Sequence, residues 1–142
     1  MASDLIDNAD GLRLDDDHIP FRRLLGIKVL EAYGGRALLS MPWQPGLGNR
    51  FGKIHGGAIT ALIDAAIANA IASSLSEGDQ TGATIELSTR FVASADGNVQ
   101  AEARSIKAGG RIAFGQAEVY DAAGNLVATG QATYAVLRDG PR

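Results

Sequence analysis

Between Ala58 and Leu75 apolar side chains occupy most positions, and the only ionisable residue in the run is Asp64. At 100° per residue, Ile59, Leu62, Ile63, Ile67 and Ile71 fall on one broad arc, while Gly57, Ala61, Asp64, Ala65, Ala68 and Ala72 fall on the other. This spacing predicts one long helix with a bulky face for a sheet to wrap and a small face that another helix or a ligand can approach closely. Downstream the period changes to two. Thr84, Glu86, Ser88 and Arg90 alternate with Ile85, Leu87 and Phe91, and a second alternation runs through Ile112, Phe114, Gln116, Glu118 and Tyr120. Turn clusters at Glu77-Gly78-Asp79, Asp96-Gly97-Asn98, Ala108-Gly109-Gly110 and 121–125 bound four predicted strands near 82–92, 98–107, 111–121 and 126–137. Upstream, Gly34-Gly35 joins two further strand signals, Ile27 to Tyr33 and Arg36 to Trp43, as a hairpin. Asp15, Asp16 and Asp17 before His18-Ile19-Pro20-Phe21 predict an N-capped short helix with proline in its first turn, ending near Leu25 and Gly26. The whole reads as an α+β domain, an antiparallel sheet with one long helix against it.

A chain of 142 residues supports one domain with a sizeable core. We expect that domain over residues 18–142, after a poorly ordered acidic leader over 1–17. The leader lacks the basic start and apolar core of a signal peptide, so a cytoplasmic protein is expected. The long apolar run is a poor membrane span, because alanine is barely hydrophobic, Asp64 lies mid-run and turns replace interfacial anchors at its flanks. A net charge of −3 and a pI near 5.3 argue against a partner that is nucleic acid or anionic membrane. With no cysteine, and with His18 and His55 as the only histidines, thiolate chemistry is absent and a metal site is not expected. Chemistry then falls to oxygen, imidazole and backbone groups.

A carboxylate inside an apolar helix is expensive, since burial disfavours its charge and each unpaired lone pair costs energy. Asp64 is the residue that demands a reason. Nine positions before it stands His55, within Asn49-Arg50-Phe51-Gly52-Lys53-Ile54-His55-Gly56-Gly57. The pattern Asn-x-x-Gly-x-x-His-Gly-Gly with a following helical aspartate resembles the hotdog-fold thioesterases of the phenylacetate-degradation type, and the likeness runs over roughly 18–138. The resemblance implies a hotdog fold, a sheet wrapped around a central helix. It further implies hydrolysis of acyl-coenzyme A thioesters without a cofactor, with Asp64 as nucleophile or as general base for water. Gly56 and Gly57, at the helix start, would aim unpaired N–H groups and the positive dipole end at the thioester oxyanion. Asn49 and His55 would orient that site and the water, and Thr84 would place the water beside Asp64, with Ser88 or Thr81 as substitutes. Lys107 and Arg111 flank a predicted hairpin that the resemblance sets near the phosphates of coenzyme A. Arg50, Lys53 and Arg90 are further cationic candidates.

Geometry bears on assembly. Nine helical residues span about 13 Å at 1.5 Å each, too far for His55 and Asp64 of one chain to reach the same acyl carbon. Two chains with antiparallel long helices across a two-fold axis would bring one helix start to the other's Asp64. A homodimer with shared sites is expected, which the resemblance implies is commonly doubled into a homotetramer. Two other uses of such a site stay open, dehydration of a hydroxyacyl thioester and non-catalytic binding of acyl-coenzyme A. No Gly-x-Ser-x-Gly elbow points to a serine triad. Aromatic and medium-chain acyl groups fit the sequence equally.

Overall fold

The computed structural model describes residues 19–138; the leader, the three aspartates and His18 lie outside the described residues. Helix α1 (Pro20–Leu25) opens on Pro20 and closes at Gly26, whose φ of 74° is the left-handed conformation that ends helices without a Cβ penalty. Its N-cap is Ile19, which has no side-chain oxygen to offer, rather than an aspartate. Strands β1 (Lys28–Tyr33) and β2 (Arg36–Met41) pair antiparallel around Gly34 and Gly35, at φ 60° and 87°. Two successive positive φ values match the twist of a two-residue hairpin, as the Gly-Gly signal required. β2 stops before Trp43, because Pro42 has no N–H with which to continue the ladder. After a 3-10 turn at Pro45–Leu47 come α2 (Gly56–Ala72), β3 (Gln80–Phe91), β4 (Val99–Lys107), β5 (Ile112–Asp121) and β6 (Leu126–Leu137).

All six strands form one antiparallel sheet in the order β1-β2-β4-β5-β6-β3. β2 and β3 are consecutive in the chain yet lie toward opposite edges, so α2 must cross the sheet face between them. Leu62, Ile63, Ile67 and Ile71 of its bulky arc are fully buried, each contributing about 1.5–3 kcal/mol by leaving water. The sheet meets them with small residues, Ala101, Ala103, Ala113, Ala117, Ala128 and Ala132, together with two glycines. A Cβ at Gly115 would stand 2.6 Å from Ile67 Cγ2, and one at Gly130 would stand 2.7 Å from Ile63 Cγ2. These two glycines set how deeply α2 sinks into the sheet. At its far end, buried Ser73 accepts from the Gly35 N–H at 2.8 Å and donates to Ala70 O at 2.7 Å, tying α2 to the β1–β2 turn.

The small face of α2 departs from expectation. Ala65 and Ala68 are buried within the single chain. What stays accessible lies mostly in the first half of the helix: Gly57, Thr60, Ala61 and Asp64. β3 departs too. It is an edge strand, and its apolar Ile85 and Phe91 remain 57% and 55% exposed. No described helix is long and apolar enough to cross a membrane.

Candidate functional site

The segment before α2 is built around one side chain. Asn49 Oδ1 accepts from the N–H groups of Phe51 and Lys53, at 2.9 and 3.1 Å. The Asn49 N–H donates to Lys53 O at 2.7 Å and its carbonyl accepts from the Gly52 N–H at 3.1 Å. Gly52 turns at φ 76°, which explains the glycine of the Asn-x-x-Gly spacing. Asn49 thus organises the loop that delivers His55 rather than extending its carbonyl oxygen toward a substrate. His55 caps α2. Its Nδ1 accepts from the Gly57 N–H at 2.8 Å, so that nitrogen carries no proton and the neutral ring bears its proton on exposed Nε2. The expectation of two unpaired amides therefore narrows to one: Gly57 is engaged by His55, while the Gly56 N–H has no acceptor among the described residues. Gly56 also leaves room for the Phe91 ring, which a Cβ would approach to 3.1 Å.

Two and a half helical turns further on, Asp64 is half-buried and well supplied with donors on one side. Thr84 donates from Oγ1 to Asp64 Oδ1 at 2.9 Å. The Tyr134 hydroxyl contacts the same Oδ1 and lies 2.6 Å from the Asp64 carbonyl oxygen. Asp64 Oδ2 accepts from none of the described residues. Thr84 and Tyr134 are direct cross-strand partners of β3 and β6, and the register shifts on both sides of Thr84. Such irregularities re-aim side chains that a regular ladder would fix. Burial first, and then the bond to Asp64, push the Tyr134 phenol above its ordinary value of 10.0, with Thr84 and Arg22 pulling the other way. It therefore remains a donor at neutral pH.

Thr84, expected to place a water beside Asp64, bonds the carboxylate directly, whereas neither Ser88 nor Thr81 bonds to it. Tyr134 was not anticipated. Its signal was available: alternation in β6 turns Ala132, Tyr134 and Val136 inward, and a buried tyrosine needs a partner for its hydroxyl. His55, Gly56 and Asn49 gather at the helix start, whereas Asp64 and Thr84 meet near its middle, so the chain holds them as two separate groups. Lys107 and Arg111 flank the β4–β5 turn, exposed and without an ion-pair partner among the described residues. Of the other cations, Lys53 pairs with Asp96 at 3.0 Å and Arg50 stacks over Phe51 at 4.9 Å. Arg90 lines a groove of about 410 Å³ on the sheet, with Arg104, Glu118 and Gln131, that includes neither group. Among the described residues no three His, Asp or Glu side chains gather as a metal site.

Known proteins share this architecture. A family model described as the thioesterase superfamily matches residues 51–128, from the loop before His55 into β6. A protein of Halobacterium salinarum, named provisionally as an esterase, is 31% identical over 134 residues, covering 87% of this chain and 88% of that protein. A thioesterase family protein from Silicibacter pomeroyi superposes with a TM-score of 0.80 at 25% identity, over 87% of this chain and 93% of that one. Zebra fish thioesterase superfamily member 2 gives 0.74 at 28% identity, over 84% and 88% of the two chains.

Proposed function

Because the chain belongs to the thioesterase superfamily, we propose that it hydrolyses acyl-coenzyme A thioesters to the free acid and coenzyme A, in the manner of the phenylacetate-degradation type. The observation that carries this reading is the Asp64 carboxylate, held through Oδ1 in a helix whose start offers the free Gly56 N–H. The Gly56 amide and helix dipole stabilise the oxyanion as the thioester carbonyl becomes tetrahedral. Asp64 either attacks the carbonyl carbon itself or takes a proton from the attacking water. In both routes the C–S bond breaks, the sulfur leaves as thiolate and gains a proton, and water supplies the second oxygen of the acid. His55 and Asn49 orient the oxyanion site and the water. Lys107 and Arg111 receive the phosphates.

The site is completed by a second copy. Long unpaired edge strands with exposed apolar side chains invite pairing, and β3 is such an edge. Two chains joined there, with α2 helices antiparallel, bring the Gly56 of one to the Asp64 of the other. The partner is therefore a homodimer mate, with the homotetramer as the doubled form. Thiol release across short, medium, long and aromatic acyl-coenzyme A substrates tests the reading. Wild type should turn over at least one class, and Asp64→Asn should lower turnover at least about 100-fold with the fold retained. Binding without thiol release from any of them would instead identify a non-catalytic acyl-coenzyme A protein.

A further inference from the structure

We propose that Tyr134 is a positioning residue that, together with Thr84, holds Oδ1 of Asp64 and so leaves Oδ2 as the reacting oxygen. The proposal rests on the reading of Asp64 given above and deepens it. Its basis is the asymmetry of the carboxylate: both hydroxyl donors converge on Oδ1, and Oδ2 accepts from none of the described residues. Tyr134 is 2% exposed, on a central-facing position of β6, so its ring cannot swing away from α2. The Asp64 carbonyl oxygen lies 2.6 Å from the Tyr134 hydroxyl, whose single proton is shared between Oδ1 and the helix backbone, which places the hydroxyl at both. Thr84 approaches from β3, directly opposite Tyr134 in the ladder. A carboxylate gripped at one oxygen by donors on two strands loses its freedom to rotate about the Cβ–Cγ bond. The other oxygen is left without a donor among the described residues, on a residue that is itself only half-buried, as are Thr60 and Ala61 one turn before it.

Hydrogen bonds to a charged group are stronger than neutral ones, and misdirection of a reacting oxygen acts on turnover more than on substrate binding. Tyr134→Phe keeps the ring and removes only the hydroxyl. We expect kcat to fall about 10-fold or more with KM changed less than about 2-fold, the scale of one hydrogen bond to a charged group. The decisive measurement is the same substitution in an Asp64→Asn background, assayed at high enzyme concentration. Acting through Asp64, Tyr134→Phe should change that residual rate less than about 2-fold. An equal loss in both backgrounds, or no loss in the wild-type background, overturns the proposal. Asp64→Asn alone matching wild type would instead remove the catalytic reading itself, so the two failures are distinct. If Tyr134→Phe does not fold, 3-fluorotyrosine at position 134 preserves shape and alters donor strength. A change in kcat of at least about 2-fold that vanishes in Asp64→Asn supports the role, and an unchanged kcat refutes it.

Discussion

Gly130→Ala probes the link between packing and site. Gly130 lies on β6 four residues before Tyr134, and an added Cβ would stand 2.7 Å from Ile63 Cγ2, 3.1 Å from Ile63 Cδ1 and 3.1 Å from Ser88 O. Ile63 is fully buried and immediately precedes Asp64, so it cannot yield outward and must shift along with its helical turn. Overpacking of this kind costs about 1–3 kcal/mol. At roughly 2–4 °C per kcal/mol for a domain of this size, the melting temperature should drop by roughly 2–12 °C. The same displacement moves Asp64 relative to the Tyr134 hydroxyl, so kcat should fall as well. Urea denaturation and thermal melting should be run as a double-mutant cycle with Ile63→Leu, which deletes the offending Cγ2 while keeping nearly the same volume. In that background Gly130→Ala should cost at least about 0.5 kcal/mol less than in wild type. Gly109→Ala, where a Cβ meets nothing within 4 Å, serves as the neutral control. Additive losses in the cycle, or a Gly130→Ala protein as stable as the control, would refute the idea that this glycine sets the depth of α2.

Two further outcomes are expected. Chains carrying His55→Ala and Asp64→Asn, each nearly inactive, should recover roughly a quarter of wild-type activity when co-refolded, since half the dimers are mixed and each mixed dimer has one intact site of two. No recovery in a preparation whose mixed dimers are confirmed by native mass spectrometry rules out the shared site. The raised phenol of Tyr134, caused chiefly by burial, gives an alkaline signature. Below its unfolded value of 10.0 its contribution is complete; above it the unfolded chain releases a proton that the folded one retains, and stability falls. The stability difference between wild type and Tyr134→Phe should therefore shrink above pH 10.0, by at most about 1.4 kcal/mol per pH unit, and a difference independent of pH would contradict it.

Much of the fold was written in local signals. The 3.6-residue period of Ile59 to Ile71 and the Gly-rich turns marked every strand and the long helix, since periodicity and backbone sterics act within a few residues of chain. Pro20 and Gly26 bounded α1 for the same reason, although the capping place fell to Ile19. Asp64 stood out because a charge within an apolar helix is costly wherever the helix packs. The motif before α2 likewise named His55 and Gly56, but not the division between them: only the folded loop engages the Gly57 amide on His55 and leaves Gly56 free. The strand order, which sends α2 across the sheet and exposes β3 at an edge, depends on pairings between distant segments. So does the burial of Ala65 and Ala68, which a helical wheel assigned to an open face. Tyr134 is the clearest case. Seventy positions separate it from Asp64, and nothing local links them; the β3–β6 register sets Tyr134 beside Thr84, and the packing of α2 on the sheet brings both hydroxyls to one carboxylate oxygen. Local chemistry nominates the residue in need of partners, and long-range packing supplies them.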